Sequence, residues 1–232
     1  MKLNKIILGI LLLSTSFLNA QENTLSDSKK NLHFFSLDIG YSYRLSSKPN
    51  ELFVNQNVFP DHYSSLRHGL KIGFSYDYLI KPNLAVGFKT NAFNSAQTTF
   101  SPTDSIDVKD DEYMFYVGPS VKYLFPTFGD KWNLSLRATA GYLSFRNSSQ
   151  IPMLSPSGTI TPASLTYKGN NFGYGLDLDL DYSINSFSAI GLNVGYFGGQ
   201  ISTLKLGEDK FELNQKENLS RLDFTIGFTI KL

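Results

Sequence analysis

Three carboxylates stand two residues apart in the stretch GLDLDLDYSI, residues 175–184, where Asp177, Asp179 and Asp181 alternate with Leu176, Leu178 and Leu180. Side chains of this type and spacing can ligate a metal, form an acid–base pair or line a wet face. A calcium loop of the D-x-D-x-D kind needs a tight glycine-bearing turn and a glutamate at its twelfth position. Here leucines fill the gaps and Ser188 stands twelfth, so no metal is expected. An acid–base pair needs two carboxyl groups in unlike environments beside a substrate cleft, and nothing sets one of these aspartates apart. The remaining reading is a β-strand with leucine on one face and acid on the other. Each face then needs its own solvent.

Nucleophilic chemistry has as little to draw on. The chain contains no cysteine, which removes thiolate catalysis, disulfides and a lipid-anchored cysteine. Its histidines are His33, His62 and His68. His33 opens an alternating segment, His62 falls in a long connection, and His68 lies at a strand end on the apolar parity. A base–nucleophile pair of His68 with Ser64 or Ser65 is conceivable, but no orienting acid is identifiable. No catalytic residue, cofactor or metal is assigned.

The elements that would position these residues repeat one pattern, period two. FFSLDIGYSYRL sets Phe35, Leu37, Ile39, Tyr41, Tyr43 and Leu45 against Ser36, Asp38, Gly40, Ser42 and Arg44. LKIGFSYDYLI and LAVGFKTNA follow, then YMFYVGPSVKYLF and WNLSLRATAGY. The aspartate stretch is the sixth segment, AIGLNVGYF the seventh and RLDFTIGFTIKL the eighth. Eight strands are expected. Their connections alternate without exception: long (about 46–65), short (Lys81–Asn83), long (about 95–111), short (Pro126–Lys131), long (about 146–170), short (Ile184–Ser186) and long (about 199–218). A sandwich gives no reason for that alternation. A membrane barrel does, with short turns at one end and longer loops at the other.

The ends of the chain agree. Lys2 and Lys5 precede the apolar run Ile6–Leu13, and LNA closes at Ala20, which reads as a signal peptide over 1–20. Residues 21–32 are then a short periplasmic segment and 33–232 the barrel. The 232 residues carry 21 basic and 20 acidic side chains, so no strong field points to nucleic acid. With 13 Tyr, 19 Phe and 18 Gly, the composition favours an all-β architecture. A soluble periplasmic barrel or sandwich, apolar faces inward, is the competing architecture.

YVGPSVKYLF and the closing LDFTIGFTIKL, with the strand count and loop alternation, resemble the small eight-stranded outer-membrane barrels, the OmpA-like transmembrane domains and OmpX-like proteins. The resemblance covers nearly all of residues 33–232. It implies an all-β, eight-stranded antiparallel up-and-down transmembrane β-barrel with four long extracellular loops and three short periplasmic turns. It also implies a Gram-negative outer membrane, its lipid and its assembly machinery as partners. Such barrels usually close on an aromatic residue, whereas this chain ends at Leu232, so the terminal signal would rest on Phe224, Ile226, Phe228 and Ile230.

In a closed barrel the second face points into a lumen narrow enough for side chains to fill. The parity places a charge network there: Asp38, Arg44, Arg67, Lys71, Asp77, Lys89, Lys122, Arg137, Asp177, Asp179, Asp181, Arg221 and Asp223, with Glu112 and Lys231 beside them. Arg137 is the expected neighbour of the acidic ladder through the strand 5–6 hairpin. Tyr43, Tyr78, Tyr113, Tyr123, Trp132, Tyr142 and Tyr182 would form the interfacial aromatic girdles. Inward glycines (Gly40, Gly73, Gly87, Gly118, Gly141, Gly195, Gly227) leave space for water or for large side chains crossing the lumen. The first long loop breaks its polar character with Leu52, Phe53, Val54, Val58 and Phe59. The third, Ser148–Ser164, is rich in Ser and Pro and reads as mobile.

The functional expectation is a non-enzymatic barrel with a charge-plugged lumen, contributing to envelope structure and presenting loops to an extracellular ligand or protein. The alternative is a narrow channel, or a lateral exit for small or hydrophobic solutes. A lipid-active enzyme is the third class.

Overall fold

The computed structural model describes residues 32–46, 60–101, 106–126, 131–154 and 160–232. The expected signal peptide, residues 21–31 and the apolar residues of the first loop lie outside the described residues. Nine strands and one short helix follow in order: β1 (His33–Arg44), α1 (Pro60–Ser65), β2 (His68–Lys81), β3 (Leu84–Ser101), β4 (Ile106–Leu124), β5 (Trp132–Leu154), β6 (Ile160–Ser183), β7 (Ser188–Leu206), β8 (Asp209–Asn218) and β9 (Arg221–Lys231). Each of β1 to β7 pairs antiparallel with the next, β7 pairs with β9, and β9 returns to β1. Eight strands therefore close a ring. β8 stands outside it, joined to β7 through a turn in which Gly207 has φ 62°. That left-handed conformation suits glycine.

Ring closure has a measurable stagger. From Tyr43 the paired residues run through Leu222, Tyr196, Leu176, Ala138, Val121, Val86 and Tyr78 to His33, ten positions earlier on the same strand. Ten residues at ~3.3 Å against eight strand spacings of ~4.8 Å tilt the strands by about 40°. An eight-stranded barrel at that tilt has an interior that side chains can fill.

Faces alternate as the period requires. On the outside Ile39 is 53% exposed, Leu192 59% and Ile226 57%, with Leu37, Leu70, Ile72, Leu176 and Phe224 alongside. Burying one such side chain is worth roughly 1.5–3 kcal/mol, and a belt this extensive exceeds what a water-facing surface carries. Hydrocarbon suits it. The soluble alternative, with apolar faces turned inward, is overturned.

Aromatic residues band the two ends. Tyr78, Tyr123, Trp132 and Tyr182 lie at the short-turn end, where the Trp132 and Tyr182 rings meet at 5.0 Å. Tyr43, Tyr113 and Tyr142 lie toward the other end, joined by Tyr41, Phe172, Tyr174 and Tyr196.

Among the described residues, the second, third and fourth long connections differ from open loops. The β3–β4 ladder runs on to Ser101↔Ile106 and the β5–β6 ladder to Leu154↔Ile160. The third connection is thus mostly paired strand, contrary to the mobile loop its composition suggests. Backbone pairing across the hairpin outweighs Ser and Pro content, because each ladder step satisfies backbone donors and acceptors. The fourth connection holds β8, and the first holds α1.

Candidate functional site

Inside the ring, side chains form three layers. The first, nearest the short turns, is ionic. Lys89 on β3 reaches Asp177 on β6 at 2.7 Å, and Arg137 on β5 donates to Asp77 on β2 at 2.9 Å. Lys71 on β2 meets Asp38 at 3.0 Å and Asp223 at 3.6 Å. Lys122 lies 3.6 Å from Asp179 and 4.0 Å from Asp181. Asp179 also accepts from Asn193 at 2.6 Å and lies 3.9 Å from Arg137. All three aspartates of the ladder thus face cations from other strands. Arg137, expected to serve them, bonds most closely to Asp77, although Asp177 is its ladder neighbour.

These groups are deeply buried: Lys71 and Asp77 are 0% exposed. A buried ion left alone costs several kcal/mol, so pairing decides whether such a layer is tolerable. Glycines make room for it. A Cβ on Gly73 would strike the Asp38 carboxylate, on Gly191 that of Asp181, and on Gly195 that of Asp177. The cavity left among Asp38, Lys89, Lys122, Arg137, Asp179 and Asp181 is about 30 Å³, room for a water or two.

Arg221 is the hinge between the first layer and the second. Its Nε donates to Asp223 at 3.0 Å and its Nη2 to Asn91 at 2.6 Å. The guanidinium lies 4.3 Å from the Phe197 ring centre and 5.5 Å from that of Phe93.

The second layer is apolar. Phe93, Met114, Tyr116, Leu143, Phe145 and Phe197 form one buried cluster, extended by Ile201, Leu204 and Leu219. Tyr116 turns its hydroxyl to Thr139 at 2.9 Å, which satisfies the one polar atom of the ring. The outward period drew attention away from these inward residues. Their signal was present: large apolar side chains recur at inward parity in the outer halves of β3, β4, β5 and β7.

The third layer crowns the barrel. Arg44 pairs with Glu112 and, at 2.6 Å, with Glu217. His62 on α1 takes Thr99 at 2.7 Å through Nδ1 and Asp110 at 2.8 Å through Nε2, fastening the helix to the β3–β4 hairpin. Burial, then the neighbouring charges of Asp110 and Glu112, push the Tyr63 phenol well above its ordinary range. Thr99, His62 and Asp110 are ordered as nucleophile, base and orienter would be. His62 is itself 1% exposed, while Thr99 is half-buried.

One placement expected from strand parity needs correction. Arg67 leaves the lumen: its Nε donates to the Arg44 carbonyl at 3.0 Å and its guanidinium lies 4.5 Å over the outward Tyr43 ring. It precedes β2, so strand parity does not govern it. The conceivable His68 pair is not assembled either. Ser64 and Ser65 donate back to the Asp61 carbonyl, each at 2.9 Å, while His68 bonds the Tyr41 hydroxyl at 2.5 Å on the outer face. His33 opens β1 and meets the Tyr76 hydroxyl at 3.0 Å.

An eight-stranded up-and-down ring, apolar outside and packed with polar and ionic groups inside, defines the class of small outer-membrane β-barrels. A solved structure agrees. The outer membrane protein OprG from Pseudomonas aeruginosa aligns with a TM-score of 0.51 at 14% identity, over 88% of this chain and 97% of that one. Neisserial surface protein A aligns at 0.49 and 16% identity, over 86% and 97%. At its identity the OprG likeness establishes the fold alone. No family model matches the chain, and no curated protein does.

Proposed function

We propose that the protein is a non-enzymatic barrel of a Gram-negative outer membrane, its short turns toward the periplasm and its lumen closed to solutes. Its role is then carried by the envelope it reinforces and by the crown of hairpins it presents outside to an extracellular ligand or protein. The observation that carries this reading is the succession of layers along the lumen. An ion crossing it would first have to displace paired charges and then enter a cluster whose members are almost fully buried. The crown adds a third closure through Arg44, Glu112 and Glu217. The non-enzymatic part rests on His62 being enclosed and His68 lacking a hydroxyl nucleophile of Ser64 or Ser65 among its bonded partners.

The test is single-channel recording from refolded mature protein in a planar bilayer, across salt and pH. Silence supports closure and directs the search for activity to the crown. Reproducible conductance steps overturn it.

A lateral exit for hydrophobic solutes is the second reading, favoured by one feature. The β6–β7 ladder is interrupted between Lys168↔Lys205 and Gly173↔Gly199. Behind the break stand Leu143, Ile201 and Leu204. Cross-linking cysteines placed at Asn171 and Gln200 would seal the wall there. Loss of uptake of a hydrophobic probe on sealing would support this path over closure.

A further inference from the structure

At the short-turn end the lumen widens into a mouth of about 520 Å³. That volume lies within the usual range for small-molecule sites. Its polar wall comes from Lys122, Asn133, Asp181, Ser183 and Lys231, with Lys131 at the lip. Its apolar wall comes from Phe34, Leu79, Pro82, Leu124 and Ile184. The ionic partners are unevenly shared. Lys122 has Asp179 and Asp181. Lys231 donates to the Ser183 hydroxyl at 2.8 Å and makes no ion pair among the described residues. Lys131 also makes no ion pair among them; its ammonium stands 5.6 Å from the Tyr182 ring centre. Asn133 donates to the same Ser183 hydroxyl at 3.1 Å.

A chamber with an apolar wall and a polar wall on which Lys122, Lys131 and Lys231 outnumber Asp181 fits one kind of ligand. We propose that this mouth is a binding site for a small amphipathic anion, a single carboxylate or phosphate on an apolar body, drawn from the aqueous compartment the short turns face. The anion meets Lys231 and the Ser183 hydroxyl that Asn133 positions, Lys131 closes over it from the lip, and the apolar body lies against Leu79, Leu124 and Ile184. The blind end matters. Above the mouth the ion pairs enclose a space of about 30 Å³, so the ligand enters and leaves by the same opening. The assignment of that opening to the periplasm rests on the orientation proposed above; the binding itself does not.

The experiment uses the mature protein in phosphatidylcholine nanodiscs, titrated with 4-phenylbutyrate and followed by the backbone amide signals of Lys131, Ser183 and Lys231. Saturable shifts at these three positions are expected. Neutral 4-phenylbutanamide is expected to bind at least tenfold more weakly. The double variant Lys131→Gln with Lys231→Gln is expected to raise the Kd for 4-phenylbutyrate at least tenfold. Lys231→Arg in the Lys131→Gln background is expected to keep the Kd within threefold of that background. Thermal unfolding by far-UV dichroism checks that each variant is folded, and a misfolded double variant is replaced by Lys131→Gln with Asn133→Leu. Equal binding of the amide and the acid, an unchanged Kd in a folded double variant, or shifts elsewhere in the barrel would each overturn the proposal. Inorganic phosphate in place of the acid separates a plain anion site from an amphipathic one; equal affinity overturns the apolar half of the assignment. Orientation is read separately, by labelling Asn83→Cys in intact and permeabilised cells. Binding and orientation can therefore fail independently.

Discussion

The Arg221 guanidinium lies 4.3 Å from the centre of the Phe197 ring while its Nε bonds Asp223 at 3.0 Å. One side chain thus joins the ionic layer of the lumen to the apolar layer above it. Arg can do both because its planar cation stacks on a ring and still presents directed donors. Lys cannot keep the pair of contacts. Arg221→Lys is expected to lower stability by about 1–3 kcal/mol, from lost stacking and the lost bond to Asn91. Urea unfolding in phosphatidylcholine vesicles measures it, and a change within about 0.5 kcal/mol would refute the junction.

The Lys89–Asp177 pair spans from β3 to β6 across the lumen. Lys89→Met leaves Asp177 buried with its closest cation gone, and the expected loss is about 3–5 kcal/mol. Adding Asp177→Leu removes the stranded charge, so the double variant should recover most of that loss. A double-mutant cycle decides, and strict additivity of the two losses would argue that the groups do not interact.

His62 holds α1 to the β3–β4 hairpin through two bonds. Removing it leaves the Asp110 carboxylate and Thr99 hydroxyl without that partner, at about 1–3 kcal/mol for the unsatisfied groups. His62→Ala should therefore speed amide exchange in α1 and in residues 95–99, while the strands of the ionic layer keep their protection. Uniform loss of protection through the barrel would contradict a local clasp.

The raised Tyr63 phenol sets a sign for alkaline behaviour. Its folded value lies above the unfolded value of about 10, so the folded state holds the proton more tightly. The contribution is fully present below the unfolded value and is lost as pH rises through the folded one. Stability of the crown should fall above about pH 10, and Tyr63→Phe should flatten that fall. Proteolysis of the first connection against pH follows it. An identical alkaline decline in the variant would exclude Tyr63 as a cause.

Two inward glycines should respond differently to alanine. A Cβ at Gly87 would run into the Tyr76 carbonyl, fixed in the ladder, whereas at Gly227 its nearest neighbour is the Leu37 carbonyl at 3.4 Å. Gly87→Ala is expected to cost about 1–3 kcal/mol and Gly227→Ala under about 0.5 kcal/mol. Unfolding midpoints of the two proteins, compared at equal denaturant slope, check the contrast.

The alternation of Phe35, Leu37, Ile39 and Tyr41 with Ser36, Asp38 and Gly40 was enough to define strands and faces, because side-chain direction along a strand is a local property with a period of two. The same locality let the connection lengths imply a ring. Which charges meet across the lumen was decided by closure. Lys89 faces Asp177 and Arg137 reaches Asp77 because a ten-residue stagger brings those heights together, and stagger belongs to the whole ring, not to any segment of it. The inward cap of Phe93, Met114, Leu143 and Phe197 follows the local parity, whereas Arg67 turns outward because β2 begins only at His68. Alternation says which way a residue points inside a strand; tertiary structure alone says what stands opposite, and where a strand begins.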